Sequence, residues 1–259
     1  MAGLVMTERG DGAPAEGMAV VLLHSLLADA GSWSALADQL AGSIRLIVPN
    51  LPGFGGSEPV LGGLPAIAGA VADAIRTRQP GRAVAVVGNG FGGFVALRLA
   101  LDHPDLVSRL VLIGTGARFS DPGRAAFTGM RTRAASAGLA AIAETAMARL
   151  FQPDFAARNP EMIGERRAAF LRTDPAMFTA ACAALESLDI SAEAGRIACP
   201  TLILAGAEDQ ATPPAMAEGL AALIPGAQLQ ILDGLAHVPQ MQDPARIAQA
   251  MTVFLDLAR

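Results

Sequence analysis

Two side chains in this 259-residue chain have the types and order that acyl-transfer chemistry uses, and a third position lacks its reactive atom. Asp209 stands just past an apolar run in PTLILAGAEDQATPP, ahead of a proline-marked helix start. His237 falls in LQILDGLAHVPQMQDP, in a loop after the last apolar run. A carboxylate that fixes the tautomer of an imidazole makes that imidazole a general base, and nucleophile, acid, base is one chain order in which such a relay recurs. The nucleophile position is the bend in AVAVVGNGFGGFVALRLAL, residues 83–101, where a strand pattern turns at once into a helix pattern. Gly88 and Gly92 flank it two places to either side, which lets a strained turn pack closely. The residue between them is Gly90. It has no hydroxyl.

The same knot also reads as G-x-G-x-x-G through Gly88, Gly90 and Gly93, the pattern that seats a pyrophosphate on a helix N-terminus. That reading needs the first strand of the fold and an acid about 20 residues on to hold a ribose. Here the bend follows the third main run, and the next one, RLVLIGTG, ends in Gly114 and Thr115. Asp102 and Asp105 fall in the loop at the wrong edge of a sheet. The nucleophile-bend reading is the stronger.

Six short apolar runs would position these residues: Ala19–Leu23, Ile44–Val48, Ala83–Val87, Leu106–Ile113, Thr201–Ala205 and Gln228–Leu232. Most are apolar throughout, as parallel strands covered on both faces are. Helix patterns alternate with them at Trp33–Leu40, Leu64–Thr77, Phe91–Leu101, Pro214–Leu223 and Pro244–Leu257, which predicts a doubly wound, mostly parallel sheet. Residues 119–198 break the alternation with helical patterns only, DPAMFTAACAALESLDI being the clearest. The expected organisation is a core of 1–118 and 199–259 with a helical cap, 119–198, over the carboxyl edge of the sheet, where open α/β sheets bind ligands. The acidic, glycine-rich start, Glu8–Gly17, reads as a loose hairpin or tail.

Composition narrows the class. Apolar residues make up 52% and charged residues 17%, the balance of a folded chain. A net charge of −5 argues against nucleic acid as a partner. The run Met18–Leu23 is too short to span a bilayer and lacks the flanks of a signal peptide, so a soluble cytoplasmic protein is expected. Cys182 and Cys199 form no metal-type cluster and read as ordinary thiols. No metal or cofactor is expected, only a small-molecule substrate.

Over nearly its whole length the chain resembles the α/β-hydrolase superfamily, from VVLLHSLLADAGSW through LIVPNLPGFGGSEP and the bend to LAHVPQMQDPARIAQAMTVFLDLAR. Within it, HSLLAD, FTAACAALESLDI and EDQATPP are most similar to the 3-oxoadipate enol-lactonase group. The departures are Gly90 for the serine, His24 where that group tends to have Asn, a cap without tryptophan, and a shortened N-terminal strand pair. The resemblance implies an α/β-hydrolase fold and hydrolysis of a small, carboxylated ester or lactone. It also implies that the backbone N–H groups of Leu26 and Phe91 form an oxyanion hole. Without a serine at position 90, any turnover rests on that hole and on the Asp209–His237 dyad, His237 acting as base on a water or on an acidic C–H. Loss of a triad member leaves roughly 10³–10⁴-fold acceleration over water.

Ser25, beside the oxyanion loop, is expected to donate a hydrogen bond to substrate rather than to attack it. Arg124, Arg131 and Arg133 of the cap are candidates to clamp a substrate carboxylate. Other roles stay open for the same residues: Asp209 as a helix cap, His237 as a loop histidine, the arginines as solvated helix surface. His24 and His103 read as structural hydrogen-bonders. Phe151, Phe155, Phe170 and Phe178 read as cap core, and Gly53, Gly55 and Gly56 as turn glycines. Two further functions stay open: a ligand-binding protein without turnover, and a lyase or isomerase with His237 as base.

Overall fold

The computed structural model describes residues 3–10, 17–40, 42 and 44–257. Seven strands form one sheet in the order β1-β3-β2-β4-β5-β6-β7. They are β1 Met6–Arg9, β2 Ala19–Leu23, β3 Arg45–Pro49, β4 Val84–Asn89, β5 Val107–Ile113, β6 Thr201–Gly206 and β7 Gln228–Leu232. All neighbours pair in parallel except β1, which runs antiparallel to β3 with Met6 opposite Pro49.

The uninterrupted apolar runs follow from coverage on both faces. In β4, Val84 and Val86 face one core layer while Ala85 and Val87 face the other, and β2 and β5 divide their residues the same way. Helix α1 (Ser34–Leu40) and the helix Pro244–Leu255 close one layer. Helices α2 (Gly63–Arg78) and α3 (Phe91–Asp102) close the other. Crossovers on both sides of one parallel sheet are the doubly wound arrangement expected of an α/β-hydrolase fold.

Strand β1 is a correction. It was not among the six expected runs; of the stretch read as a loose hairpin or tail, Glu8 and Arg9 lie in β1 and residues 11–16 lie outside the described residues. Three of the four β1 residues are exposed, so the strand carries no apolar run. A short, charged strand of this kind blunts a sheet edge.

Between β5 and β6 the chain leaves the sheet. A bridge between Arg118 and Asp189, with Ile190 N–H donating to the Ala117 carbonyl at 3.0 Å, ties the two ends of the excursion together. It contains α4 (Asp121–Ala137), α5 (Ala143–Leu150), α6 (Pro153–Arg158), α7 (Pro160–Leu171) and α8 (Pro175–Glu186). Four of the five begin with proline in the first turn, where the missing N–H has no intrahelical acceptor to lose. Ser120 and Asp174 cap α4 and α8 with side-chain oxygens. Phe151, Phe170 and Phe178 are buried in this layer, with Phe155 stacked on Phe151.

Candidate active site

The bend after β4 keeps the backbone of a nucleophile turn. Gly90 has φ 52° and ψ −117°, a combination that an L side chain adopts only under strain. Its N–H donates to the Ile113 carbonyl at 2.9 Å, and α3 starts at the next residue. The flanking glycines serve close approach. A Cβ on Gly88 would run into the backbone of Gly92, and one on Gly92 into the Leu23 carbonyl at the end of β2. The Gly92 N–H donates to the His24 carbonyl at 2.9 Å, fastening the helix to the loop after β2. The glycine pattern is therefore explained by strand-to-helix packing.

Asp209 and His237 meet at this bend. His237 Nδ1 lies 2.8 Å from Asp209 Oδ2, and both side chains are buried. The other carboxylate oxygen accepts from the N–H groups of Ala211 and Thr212 at 2.8 and 2.9 Å. One oxygen of Asp209 thus closes its own turn while the other orients the imidazole; Asp209 does not cap the following helix, Pro214–Leu223, whose N-terminus has no side-chain cap. The Thr212 hydroxyl donates to Oδ2 at 2.7 Å. Burial would raise the Asp209 pKa; attraction to the imidazolium of His237 and the bonds from His237 and Thr212 outweigh it and hold the carboxyl below its usual range. An ionised carboxylate only accepts, so Nδ1 carries the proton of a neutral His237 and Nε2 presents its lone pair.

Asn89, the residue before the bend, was not among the expected site residues. Its amide nitrogen donates to the His237 carbonyl at 2.8 Å, and its oxygen accepts from Gln240 at 3.1 Å. This clamp holds the histidine loop against β4. An amide residue at the end of an otherwise apolar run was the available signal. For Thr212 the signal was its place three residues after an aspartate, the spacing of a side-chain turn.

His24 is structural. Its Nε2 accepts from the Leu51 N–H at 2.9 Å, which leaves Nδ1–H to donate to the Ser25 carbonyl at 2.9 Å. Burial pushes its pKa down to about 4. His103, half-buried, contacts Arg76 away from the bend. Neither cysteine is bonded, and burial raises the Cys182 thiol to about 12, so it stays protonated.

A cavity lies over the bend, lined by Ser25, Leu26, Leu27, Gly90, Phe91 and His237 from below and by Phe127, Met130, Arg149 and Leu185 from the helical layer. The space open to the centres of water-sized molecules is about 30 Å³, above the 10–15 Å³ that one water needs. Leu26 and Phe91 both line this cavity, and the Phe91 N–H, at the first position of α3, has no intrahelical acceptor.

The three arginines chosen as a carboxylate clamp are elsewhere. Arg124 donates to the Phe119 carbonyl at 3.1 Å and lines a separate surface cleft. Arg131 pairs with Glu186 at 3.0 Å, and Arg133 donates to the Ala141 carbonyl at 3.0 Å. The face that α4 turns to the cavity carries Phe127 and Met130 instead. The cation that does line the cavity is Arg149 of α5. It is half-buried, its carbon Cζ is 6.0 Å from the ring centre of Phe127, and it has no hydrogen-bond or ion-pair partner among the described residues. Burial lowers its pKa, partly offset by the charge of Asp209. Nothing in the run of cap arginines distinguished it.

Among the described residues no helix is long and apolar enough to cross a membrane. Residues 18–244 match the family model described as alpha/beta hydrolase fold. A pimeloyl-[acyl-carrier protein] methyl ester esterase of Aromatoleum aromaticum is 35% identical, over 87% of this chain and 93% of its own. A 2-hydroxymuconate semialdehyde hydrolase of a Pseudomonas species is 34% identical, over 86% and 81%. The crystal structure of an enol-lactonase from Burkholderia xenovorans LB400 superposes with a TM-score of 0.90 at 26% identity, covering 98% of this chain and 96% of that one.

Proposed function

Because this chain belongs to the α/β-hydrolase family, we propose that it hydrolyses a small ester or lactone bearing a carboxylate, with Asp209 and His237 as its proton-moving centre. The observation that carries the reading is the 2.8 Å contact between His237 Nδ1 and Asp209 Oδ2 beside a bend that keeps its strained conformation. A protein that only held a ligand would gain nothing from an oriented base. The named activities of the relatives, an ester, an enol lactone and a semialdehyde as substrates, support an activated carbonyl as the reacting group.

In this reading His237 Nε2 takes the proton of the attacking O–H group and returns it to the leaving oxygen. Asp209 stabilises the imidazolium formed in between. The N–H groups of Leu26 and Phe91 hold the negative charge that develops on the carbonyl oxygen, without reorganising as it forms. Arg149 replaces Arg124, Arg131 and Arg133 as the carboxylate anchor, since a half-buried guanidinium without a protein partner is stabilised by an incoming anion. The side chains beside it, Phe127, Met130 and Leu185, are apolar.

The test is hydrolysis of p-nitrophenyl acetate, p-nitrophenyl hemisuccinate and small lactones by the purified protein and by His237→Ala. Turnover that falls to background in the variant supports the reading. Equal rates in the two proteins refute it.

A further inference from the structure

The dyad has a third partner. Ser25 Oγ lies 3.3 Å from His237 Nε2, and Ser25 is only 2% exposed. A Cβ built on Gly90 would sit 2.7 Å from that oxygen and 2.7 Å from Nε2, so the Ser25 hydroxyl borders the volume that a side chain at position 90 would fill. The direction of the bond is set by the far end of the imidazole: Asp209 accepts from Nδ1–H, Nε2 is the acceptor, and the Ser25 hydroxyl donates to it. That is the polarity of a nucleophile and its base. A separation of 3.3 Å is in keeping with a site without substrate, where such bonds are long.

The surroundings leave this hydroxyl for one use. Ser25 is held through its backbone, its carbonyl accepting from His24 Nδ1 at 2.9 Å and from the Ala28 N–H at 3.2 Å. Its Oγ has no other hydrogen-bond partner among the described residues. The other nearby hydroxyl, that of Thr212, is committed to Asp209 Oδ2 at 2.7 Å. The oxyanion donors also exchange places in a consistent way. At a nucleophile bend one donor is the amide that follows the nucleophile and the second comes from the loop after another strand. Counted from Ser25, Leu26 is the amide that follows, and Phe91 is the donor from the other element.

We propose that Ser25 is the nucleophile of this protein, displaced in sequence from position 90 but delivered to the same base, and that hydrolysis passes through an acyl-Ser25 ester. The inference rests on the hydrolase reading above. Oγ forms a bond to the carbonyl carbon, the π pair of the carbonyl moves onto its oxygen, and the hydroxyl proton passes to His237 Nε2. Collapse restores the carbonyl and expels the alkoxide, which takes that proton; from a lactone the alcohol stays tethered to the acyl chain. Water then attacks the acyl carbon, its proton passes to Nε2, and Oγ leaves and recovers the proton.

The experiment treats wild type, Ser25→Ala, Ser25→Cys and His237→Ala with a fluorophosphonate, maps the adduct by peptide mass spectrometry, and follows hydrolysis of p-nitrophenyl acetate. The expected adduct is on Ser25, absent from Ser25→Ala, with the rate of that variant lower by at least about 100-fold. Ser25→Cys, which conserves shape and a nucleophile, should accumulate a hydroxylamine-sensitive acyl thioester on residue 25. That readout holds even where alanine perturbs the loop. Ser25→Ala hydrolysing at the wild-type rate while His237→Ala is inactive overturns Ser25 and leaves the hydrolase reading standing with water as attacking group. An adduct on another residue overturns it equally. Wild type and His237→Ala that hydrolyse at one rate overturn both.

Discussion

A single methyl group at position 90 measures how the bend is built. Gly90 holds φ 52° and ψ −117°, which costs an L residue about 1–3 kcal/mol. Alanine also narrows the unfolded ensemble, an opposing gain of about 0.4–1 kcal/mol. The added Cβ meets His237 Nε2 and Ser25 Oγ at 2.7 Å each, whereas ordinary contact begins at 3.4 Å, so the two must retreat by about 0.7 Å. The Ser25 hydroxyl can turn away, whereas the His237 ring is held at its far end by Asp209, so the retreat strains the dyad as well as the backbone. The expected net loss for Gly90→Ala is roughly 1–2 kcal/mol. At about 2–4 °C per kcal/mol for a domain of this size, the melting temperature falls by about 2–8 °C. A retreat of that size at the base also lowers esterase turnover, since a misplacement near 1 Å can cost on the order of 100-fold. Calorimetry and p-nitrophenyl acetate hydrolysis read the two effects separately. A melting temperature equal to or above that of wild type would refute the reasoning, because the bend would not then hold a conformation that excludes side chains. Gly90→Ser carries the same strain with a hydroxyl beside Nε2, so a fluorophosphonate label that divides between residues 25 and 90 is the expected difference between the two variants.

Arg149→Ala should raise KM for p-nitrophenyl hemisuccinate about 10–100-fold, the worth of a charge-assisted hydrogen bond, and leave p-nitrophenyl acetate unchanged. An equal change in KM for both esters would rule out a carboxylate anchor. His24 gives a pH signature in stability: the unfolded chain protonates it below about 6.5, the folded protein only below about 4. Stability therefore rises with pH across that window, and on the order of 3 kcal/mol is lost as pH falls from 6.5 to 4. The urea midpoint should fall less between pH 7 and pH 4.5 for His24→Asn than for wild type, and equal falls would show that the buried ring is not the source.

The elements most legible in the sequence were those whose physics is local or repeated. Strands β2, β4, β5 and β6 showed themselves because coverage on both faces makes most of their residues apolar. Strand β1 did not, since an edge strand with three exposed residues owes its existence to pairing with β3 and not to its own side chains. The short helix Pro239–Gln242, just after His237, was hidden within a loop rich in proline and glutamine. The candidate site divided along the same line. Asp209 and His237 were legible because each follows a recognisable strand, and strand ends converge on one edge of a parallel sheet. The cap arginines were misjudged because residue type does not reveal which face of a helix meets a cavity; packing of α4 beside α8 turned Arg131 to Glu186 and left α5 to supply Arg149.

By itself the sequence determined the strand-and-helix alternation, the strained glycine bend and the chain order of the acid and base, since these follow from periodicity, sterics and the sidedness of a parallel sheet. Only the tertiary structure decided which hydroxyl faces the base. Ser25 and His237 are 212 residues apart in the chain and 3.3 Å apart in space, and that distance is set jointly by the β2 loop, the β4 bend and the Asn89 clamp on the histidine loop. Side-chain meetings of this kind depend on the summed placement of several packed elements, which no local pattern of residues encodes.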